Sequence, residues 1–319
     1  PLMYIQNCLV VACAQDQDEK VIYDLKEKTQ SEVYLISWRA RDIQEAVVQA
    51  YKPRSEAPGM MHWIQDEYAP ERGPFLTFVG TGEAVCTGSR YQSCLHVRSE
   101  DAEFLMDCGP TSLMALKQMG LNLKYLQGIL LTHGHGDHFG GVPFILLEHL
   151  LQKRTQPFWI MGPAEVLEKA QQLCELFYPG MLEKLPFSIQ WLDIKDQPRS
   201  VPFTGIMVFP FAMKHQSDSL CLGYQVHLPE EKIIAYSGDT AWNSNLELLA
   251  RGTDVMVCEC SFLEPVEGVA HLSYKELLTH LPLLKTRQLI LTHMGEDMLR
   301  AQDLEIERAY DGLTIDLSV

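Results

Sequence analysis

The segment Leu131-Thr132-His133-Gly134-His135-Gly136-Asp137-His138-Phe139-Gly140-Gly141 places three histidines and one aspartate within six residues. Neutral imidazoles and carboxylates are the ligands that zinc and other borderline divalent cations prefer. The intervening glycines allow a tight loop in which the side chains can converge on one point. The loop directly follows the apolar run Gln127–Leu131, which reads as a buried strand. Three further groups stand just past apolar runs in the same way. His215 follows Val208–Met213, Asp239 follows Ile233–Ser237, and His293 follows Leu289–Leu291. A hydrophilic group at each strand end places all of them along one edge of a sheet. The chemistry expected there is divalent-metal chemistry. The other histidines read differently: His149 and His280 fall within helices, and His96 within a strand. His227 closes a strand, and His62 lies in a linker, so all five read as packing or surface residues.

The elements that must position these groups can be read from periodicity and punctuation. Residues 1–72 stand apart. Cys8–Ala14, Val21–Leu25 and Glu32–Trp38 read as strands, and Arg41–Tyr51 reads as a helix. The breaker-rich stretch from Pro53 to Pro74 marks a boundary. From residue 73 onward short apolar strands alternate with helices. Phe75–Val79, Ser93–Val97, Glu103–Asp107 and Gln127–Leu131 are strands, with a helix at Ser112–Met119. A strongly apolar helix, Gly141–Lys153, comes next, then strand Pro157–Met161, helix Pro163–Phe177 and strand Phe187–Ile194. Gly205–Ala212, Leu220–Leu228 and Lys232–Ser237 lie close together, as in an antiparallel meander. The series ends with helix Asn243–Arg251, strand Asp254–Cys260, helix Ser273–Leu281 and strand Gln288–Leu291. Strand clusters interrupted by helices predict an α/β (α+β) arrangement, with helices outside two sheets.

The order His133-x-His135-x-Asp137-His138, His215, Asp239, His293 resembles the metallo-β-lactamase superfamily, and within it the ribonuclease Z-like and phosphodiesterase branch. Gly80-Thr81-Gly82 resembles the opening turn of that family, and Asp107-Cys108-Gly109 its Asp-x-Gly turn. The Leu222-Gly223-Tyr224 segment after His215, Glu259 at a strand end, and His271-Leu272-Ser273 resemble features of the branch. The resemblance covers about residues 74–319. It implies a four-layer αβ/βα sandwich holding two divalent metal ions, with residues 1–72 as a small α/β appendage outside it. By the resemblance, His133, His135 and His215 hold one ion and Asp137, His138 and His293 the other, with Asp239 bridging. Asp107 orients a ligand. The spacing alone does not divide the ligands between two ions. Zinc is the default metal, with manganese or iron permitted.

A metal pair lowers the pKa of a shared water and neutralises charge on the attacked centre. The expected activity is therefore hydrolysis by a metal-bound hydroxide, with Asp137, His271 and Glu259 as the candidate catalytic residues. His271 would give the leaving group its proton, and Glu259 would orient His271. Lys214 is a weaker candidate for phosphate contact. Members that process tRNA carry a long arm between the ligands matching His215 and Asp239, whereas here 23 residues separate them. With 26 basic against 42 acidic residues, the net charge of −16 also disfavours long nucleic acid. The expected substrate is a small anionic phosphodiester, such as a cyclic nucleotide or nucleotide-like molecule. The alternatives are a lactone, thioester or β-lactam acyl centre, or a non-hydrolytic binding or biosynthetic role on the same fold. No apolar run is long enough to cross a membrane. Nine cysteines, mostly in apolar runs, fit reduced buried thiols in a cytoplasmic protein. The pair Cys258 and Cys260 reads as core packing. The short run before Ala12-Cys13-Ala14 lacks the basic start of a signal peptide. Residues 1–72 are expected either to cover the cleft or to form a homodimer contact.

Overall fold

The computed structural model describes residues 2–5, 8–13, 32–37 and 73–318, apart from 101, 203 and 216–218. The chain divides into two compact units, Pro1–Pro70 and Glu71–Val319. In the first unit, β1 (Leu2–Ile5) pairs antiparallel with β2 (Cys8–Cys13), and β2 pairs parallel with β3 (Glu32–Ser37). Strand β1 was not anticipated from the sequence. The expected strand Val21–Leu25, helix Arg41–Tyr51 and His62 lie outside the described residues.

The second unit contains two seven-stranded sheets. The first comprises β4 (Phe75–Gly80), β5 (Cys94–Arg98), β6 (Glu103–Met106), β7 (Leu126–Leu130), β8 (Phe158–Gly162) and β9 (Ile189–Asp193) in sequence order. The second runs β10 (Arg199–Ser200), β11 (Met207–Ala212), β12 (Leu222–His227), β13 (Ile233–Tyr236), β14 (Thr253–Glu259), β15 (Thr286–Thr292) and β16 (Glu307–Arg308). The last strand, β17 (Thr314–Asp316), returns to the first sheet and pairs antiparallel with β4. The helices are α1 (Ser112–Gln118), α2 (Gly136–Phe139), α3 (Val142–Leu151), α4 (Ala164–Phe177), α5 (Asn245–Ala250), α6 (Tyr274–His280) and α7 (Glu296–Arg300).

The two-residue period of the strands assigns each side chain to a layer. In β6, Phe104 and Met106 join Leu130, Val226, Tyr236 and Val257 in the core between the sheets. Leu105 points the other way, into a cluster with Leu116 of α1, Ile145 of α3 and Val166 of α4. In β14, Val255 and Val257 face the other sheet. Met256 and Cys258, with Cys260 just beyond the strand, pack with Leu246, Leu277 and Met298 of α5, α6 and α7. Helices therefore cover both outer faces, giving the four-layer αβ/βα sandwich. Cys258 and Cys260 are core thiols, and burial pushes both upward in pKa.

Strands β6, β7, β13, β14 and β15 run parallel within their sheets, and their C-terminal ends carry the polar loops. In α/β sheets ligands gather outside these ends. The antiparallel register of β11 with β12, and of β12 with β13, brings the end of β11 to the same edge. All candidate residues therefore share one rim. The histidine motif is not wholly a loop, because Gly136–Phe139 winds into one helical turn with His135 as its N-cap. That turn rests against the Asp107-Cys108-Gly109 turn, where Cys108 N–H donates to His138 O at 2.6 Å and Gly141 N–H to Cys108 O at 2.8 Å. A Cβ at Gly141 would fall 2.2 Å from Gly109 O, so only glycine allows this contact.

Candidate metal centre

The motif loop and the strand ends bring seven side chains together as two overlapping groups. His133, His135, His215 and Asp239 form one, and Asp137, His138, Asp239 and His293 form the other. In each group the candidate ligand atoms lie within 4.8 Å of one another. His135 Nδ1 stands 3.0 Å from both His133 Nε2 and His215 Nε2. Asp239 Oδ2 lies 3.7 Å from the former's partner atom His133 Nε2 and 3.8 Å from His215 Nε2. In the second group, His293 Nε2 is 3.4 Å from Asp137 Oδ2 and 3.4 Å from Asp239 Oδ2. His138 Nε2 is 3.3 Å from Asp239 Oδ1 and 3.4 Å from Asp137 Oδ2. Asp239 alone belongs to both groups.

Four of the five histidines are oriented through their other ring nitrogen. His138 Nδ1–H donates to Asp107 Oδ2 at 2.7 Å, which aims Nε2 at the carboxylates. Asp107 also accepts from Thr132 N at 2.8 Å and from the Tyr236 hydroxyl at 3.0 Å. His133 Nδ1 lies 3.0 Å from Thr132 Oγ1, His215 Nδ1 2.8 Å from Ala270 O, and His293 Nδ1 3.0 Å from Ser261 Oγ. Asp107 and His293 both adopt left-handed backbone conformations, with φ 59° and 56°. Such strain is held only where surrounding contacts over-determine it.

The donor set fits divalent cations on two observations. His138 Nε2 and Asp239 Oδ1 are buried and face each other at 3.3 Å without a regular hydrogen bond to any described residue. Buried polar atoms are normally satisfied, so orphans call for a ligand or ion. The second observation is electrostatic. Burial alone would raise Asp239, but the His138 and His293 charges hold it well below the usual carboxylate range. Burial alone would lower His138, but Asp239 and Asp107 raise it well above normal. His133 is driven well below its ordinary value by burial and by the neighbouring His138. The cluster therefore demands compensating positive charge at its centre, which a cation supplies.

Beside the second group stands His271. Its Nδ1–H donates to Glu259 Oε1 at 2.8 Å, and its ring stacks on His293 with centroids 5.5 Å apart. Burial would lower its pKa, but the Glu259 hydrogen bond and charge raise it to about 9. Glu259 is fully buried and is itself fixed by Thr240 N–H at 2.7 Å and Ser261 O–H at 2.9 Å. Three partners escaped the sequence reading: Thr132, Tyr236 and Ser261. One signal was available, because Leu131-Thr132-His133 is echoed by Leu291-Thr292-His293. The remaining histidines among the described residues stay out of the centre. His149 is buried beside Phe158, His280 stacks on Trp242 at 3.9 Å, His227 packs on Phe209 at 4.4 Å, and His96 faces Glu103 at 3.4 Å. Lys214 has an exposed side chain, and its backbone is bridged to Ala241.

Residues 75–310 match the family described as Anti-Pycsar protein Apyc1. A protein of that name from Bacillus phage 010DV004 is 25% identical over 241 residues, covering 70% of this chain and 90% of the phage protein. A ribonuclease Z from Agathobacter rectalis is 23% identical over 279 residues, covering 72% of this chain and 90% of its own length. For other ribonuclease Z relatives the match spans about half of their length. Among solved structures, the short form of human tRNase Z superposes with a TM-score of 0.64 at 22% identity. That match covers 77% of this chain and 100% of the human chain. The expectation from net charge that long nucleic acid is disfavoured finds no support in relatives that bear the name ribonuclease Z.

Proposed function

The chain is a metallo-β-lactamase-superfamily hydrolase of the ribonuclease Z-like branch and belongs to the Anti-Pycsar protein Apyc1 family, and on that premise we propose that it is a dinuclear metal-dependent phosphodiesterase acting on a small, nucleotide-like phosphodiester. The observation that carries this reading is the convergence of seven ligand-type side chains on two overlapping groups that share Asp239. His133, His135 and His215 are assigned to one cation and Asp137, His138 and His293 to the other, with Asp239 between them. Zinc suits this donor set, and manganese or iron are also accommodated. When bound, two divalent cations would supply charge neutralisation at the phosphorus and acidify a water.

The protein's own residues do the rest. Asp107, Thr132, Ser261 and Ala270 O fix the rings of His138, His133, His293 and His215, so that the second nitrogen of each faces inward. His271, tied at Nδ1 to Glu259, is proposed to hold a proton at Nε2 for the departing alkoxide. It lines the cleft together with His135, Asp137, Asp239 and His293. Catalysis is assigned to residues 73–319, with 1–72 as an appendage.

The ribonuclease Z relatives favour a second reading, in which RNA is the substrate. One screen separates the readings. Metal-loaded protein is offered bis-p-nitrophenyl phosphate, cyclic nucleotides, a precursor tRNA, lactones and thioesters. Hydrolysis of the small phosphodiesters without precursor cleavage supports the proposal. Cleavage of the precursor with inert cyclic nucleotides replaces it with the RNA reading. Activity confined to lactones or thioesters replaces it with acyl chemistry, and a metal-loaded protein inert on every compound indicates a binding role.

A further inference from the structure

The cleft that opens on the candidate metal centre has a volume of about 970 Å³, at the upper end of the range for small-molecule sites. Part of its lining is apolar and belongs to helices outside the motif. Phe144 comes from α3, and Leu173 and Phe177 come from α4. The Phe144 and Phe177 rings lie 5.9 Å apart, tilted by 40°. Phe177 remains 45% exposed and lines the cleft, so its ring is open to a ligand that enters there.

The position of α4 relative to the centre follows from its four-residue spacing, which puts Glu165, Lys169, Leu173 and Phe177 along one face. At the near end, Glu165 accepts a hydrogen bond from Leu220 N–H at 2.7 Å, close in sequence to His215. One turn further, Lys169 lies over the motif loop, where a Cβ on Gly134 would fall 2.9 Å from its Nζ. From there Leu173 and Phe177 continue along the cleft. Eight residues at about 1.5 Å each give about 12 Å of wall leading away from the loop.

The charge of the lining limits what can lie there. Its ionisable carboxylates are Glu83, Asp137 and Asp239, and among the described residues no lysine or arginine lines it. The lining itself thus offers a second phosphate no lysine or arginine. Glu83 stays ionised, held below the usual range by its bonds to Thr87 and Val85 although burial opposes this.

Resting on the phosphodiesterase reading, we propose that Phe144, Leu173 and Phe177 form the specificity wall of the site. They receive the planar base of a substrate that carries a single phosphodiester, while α4 sets the distance between base and metal centre. Stacking a base on an aromatic ring typically contributes about 1–3 kcal/mol, so loss of one ring weakens binding about tenfold.

The test compares two esters with the same leaving group, thymidine 5′-p-nitrophenyl phosphate and methyl p-nitrophenyl phosphate, on the metal-loaded full chain. The native protein should favour the nucleoside ester in kcat/KM. Phe177→Ala should raise KM for the nucleoside ester about tenfold while leaving the methyl ester within about twofold. Because Phe177 is partly exposed, this variant does not depend on repacking a core. Phe144→Ala should act in the same direction. Equal losses on both esters, or no preference in the native protein, overturn the wall while leaving the phosphodiesterase reading intact. Failure to hydrolyse either ester removes that reading, and the wall with it.

Discussion

Histidine is buried in two different ways in this molecule. At the rim, His133, His138 and His293 are almost fully buried, and each has one ring nitrogen tied to a defined partner. On α3, His149 is equally buried, but neither of its ring nitrogens has a hydrogen-bond partner among the described residues. Its neighbours are Phe158, 5.0 Å away, and Phe187, 6.1 Å away. Burial and the nearby Arg154 charge push its pKa down to about 3, so it stays neutral. The difference shows that burial alone does not make a site. A site needs a partner on one nitrogen, so that the other is aimed, and carboxylates that meet it. The rim has both, and the α3 histidine has neither.

The largest expected effect tests whether the rim histidines act or only pack. His271→Ala should lower kcat about 10²- to 10⁴-fold on an alkyl phosphodiester, whose leaving oxygen needs a proton. On a p-nitrophenyl ester, whose leaving group departs as the anion, the loss should be much smaller. Equal losses on both substrates would assign His271 a merely structural role. A smaller effect tests the aiming. Asp107→Asn keeps a residue type that tolerates the left-handed backbone but removes the carboxylate that orients His138. Metal affinity should fall about 10- to 100-fold, measured by competition with a chromogenic chelator, while the melting temperature of the metal-free protein changes little. An unchanged affinity would show that the Asp107 network does not prepare the centre.

The smallest effect concerns α3. His149→Leu removes two unsatisfied buried nitrogens and should leave activity unchanged while stabilising the fold by about 1–3 kcal/mol. The pH dependence follows from its depressed pKa. Between about 6.5 and about 3 the unfolded chain binds a proton at this residue that the folded chain does not. The native protein therefore loses stability as pH falls through that window, and the variant should lack this component. Urea denaturation at pH 7 and pH 5 reads both effects. A destabilised variant, or an identical pH slope, would mean that His149 has a partner that offsets its burial.

The rim was largely legible in the sequence because its donors are compressed into one motif or stand singly after apolar runs. His133, His135, Asp137 and His138 share six residues, and strand ends announce His215, Asp239 and His293. The partners that aim them were harder to read. Tyr236 reaches Asp107 across 129 residues, from the opposite sheet. Such a contact depends on how the sheets stack, which periodicity does not encode. The layer order followed from alternating strands and helices, but the return of β17 to β4 did not. That strand has three residues and carries no pattern of its own. Strand Glu103–Met106 stops one residue earlier than expected because Asp107 turns left-handed. His149, read as structural from its place in an apolar helix, packs beside Phe158 away from the rim, yet its missing partners were invisible without packing.

The central proposal is that the rim binds two cations through the two side-chain groups that share Asp239. Calorimetric titration of chelator-stripped protein with Zn²⁺, repeated in buffers of different ionisation enthalpy, tests it directly. The account predicts two bound equivalents with net proton release, because His138 and His293 are raised in pKa and must give up their protons to bind. Binding of one equivalent or none, or binding without proton release, would contradict it.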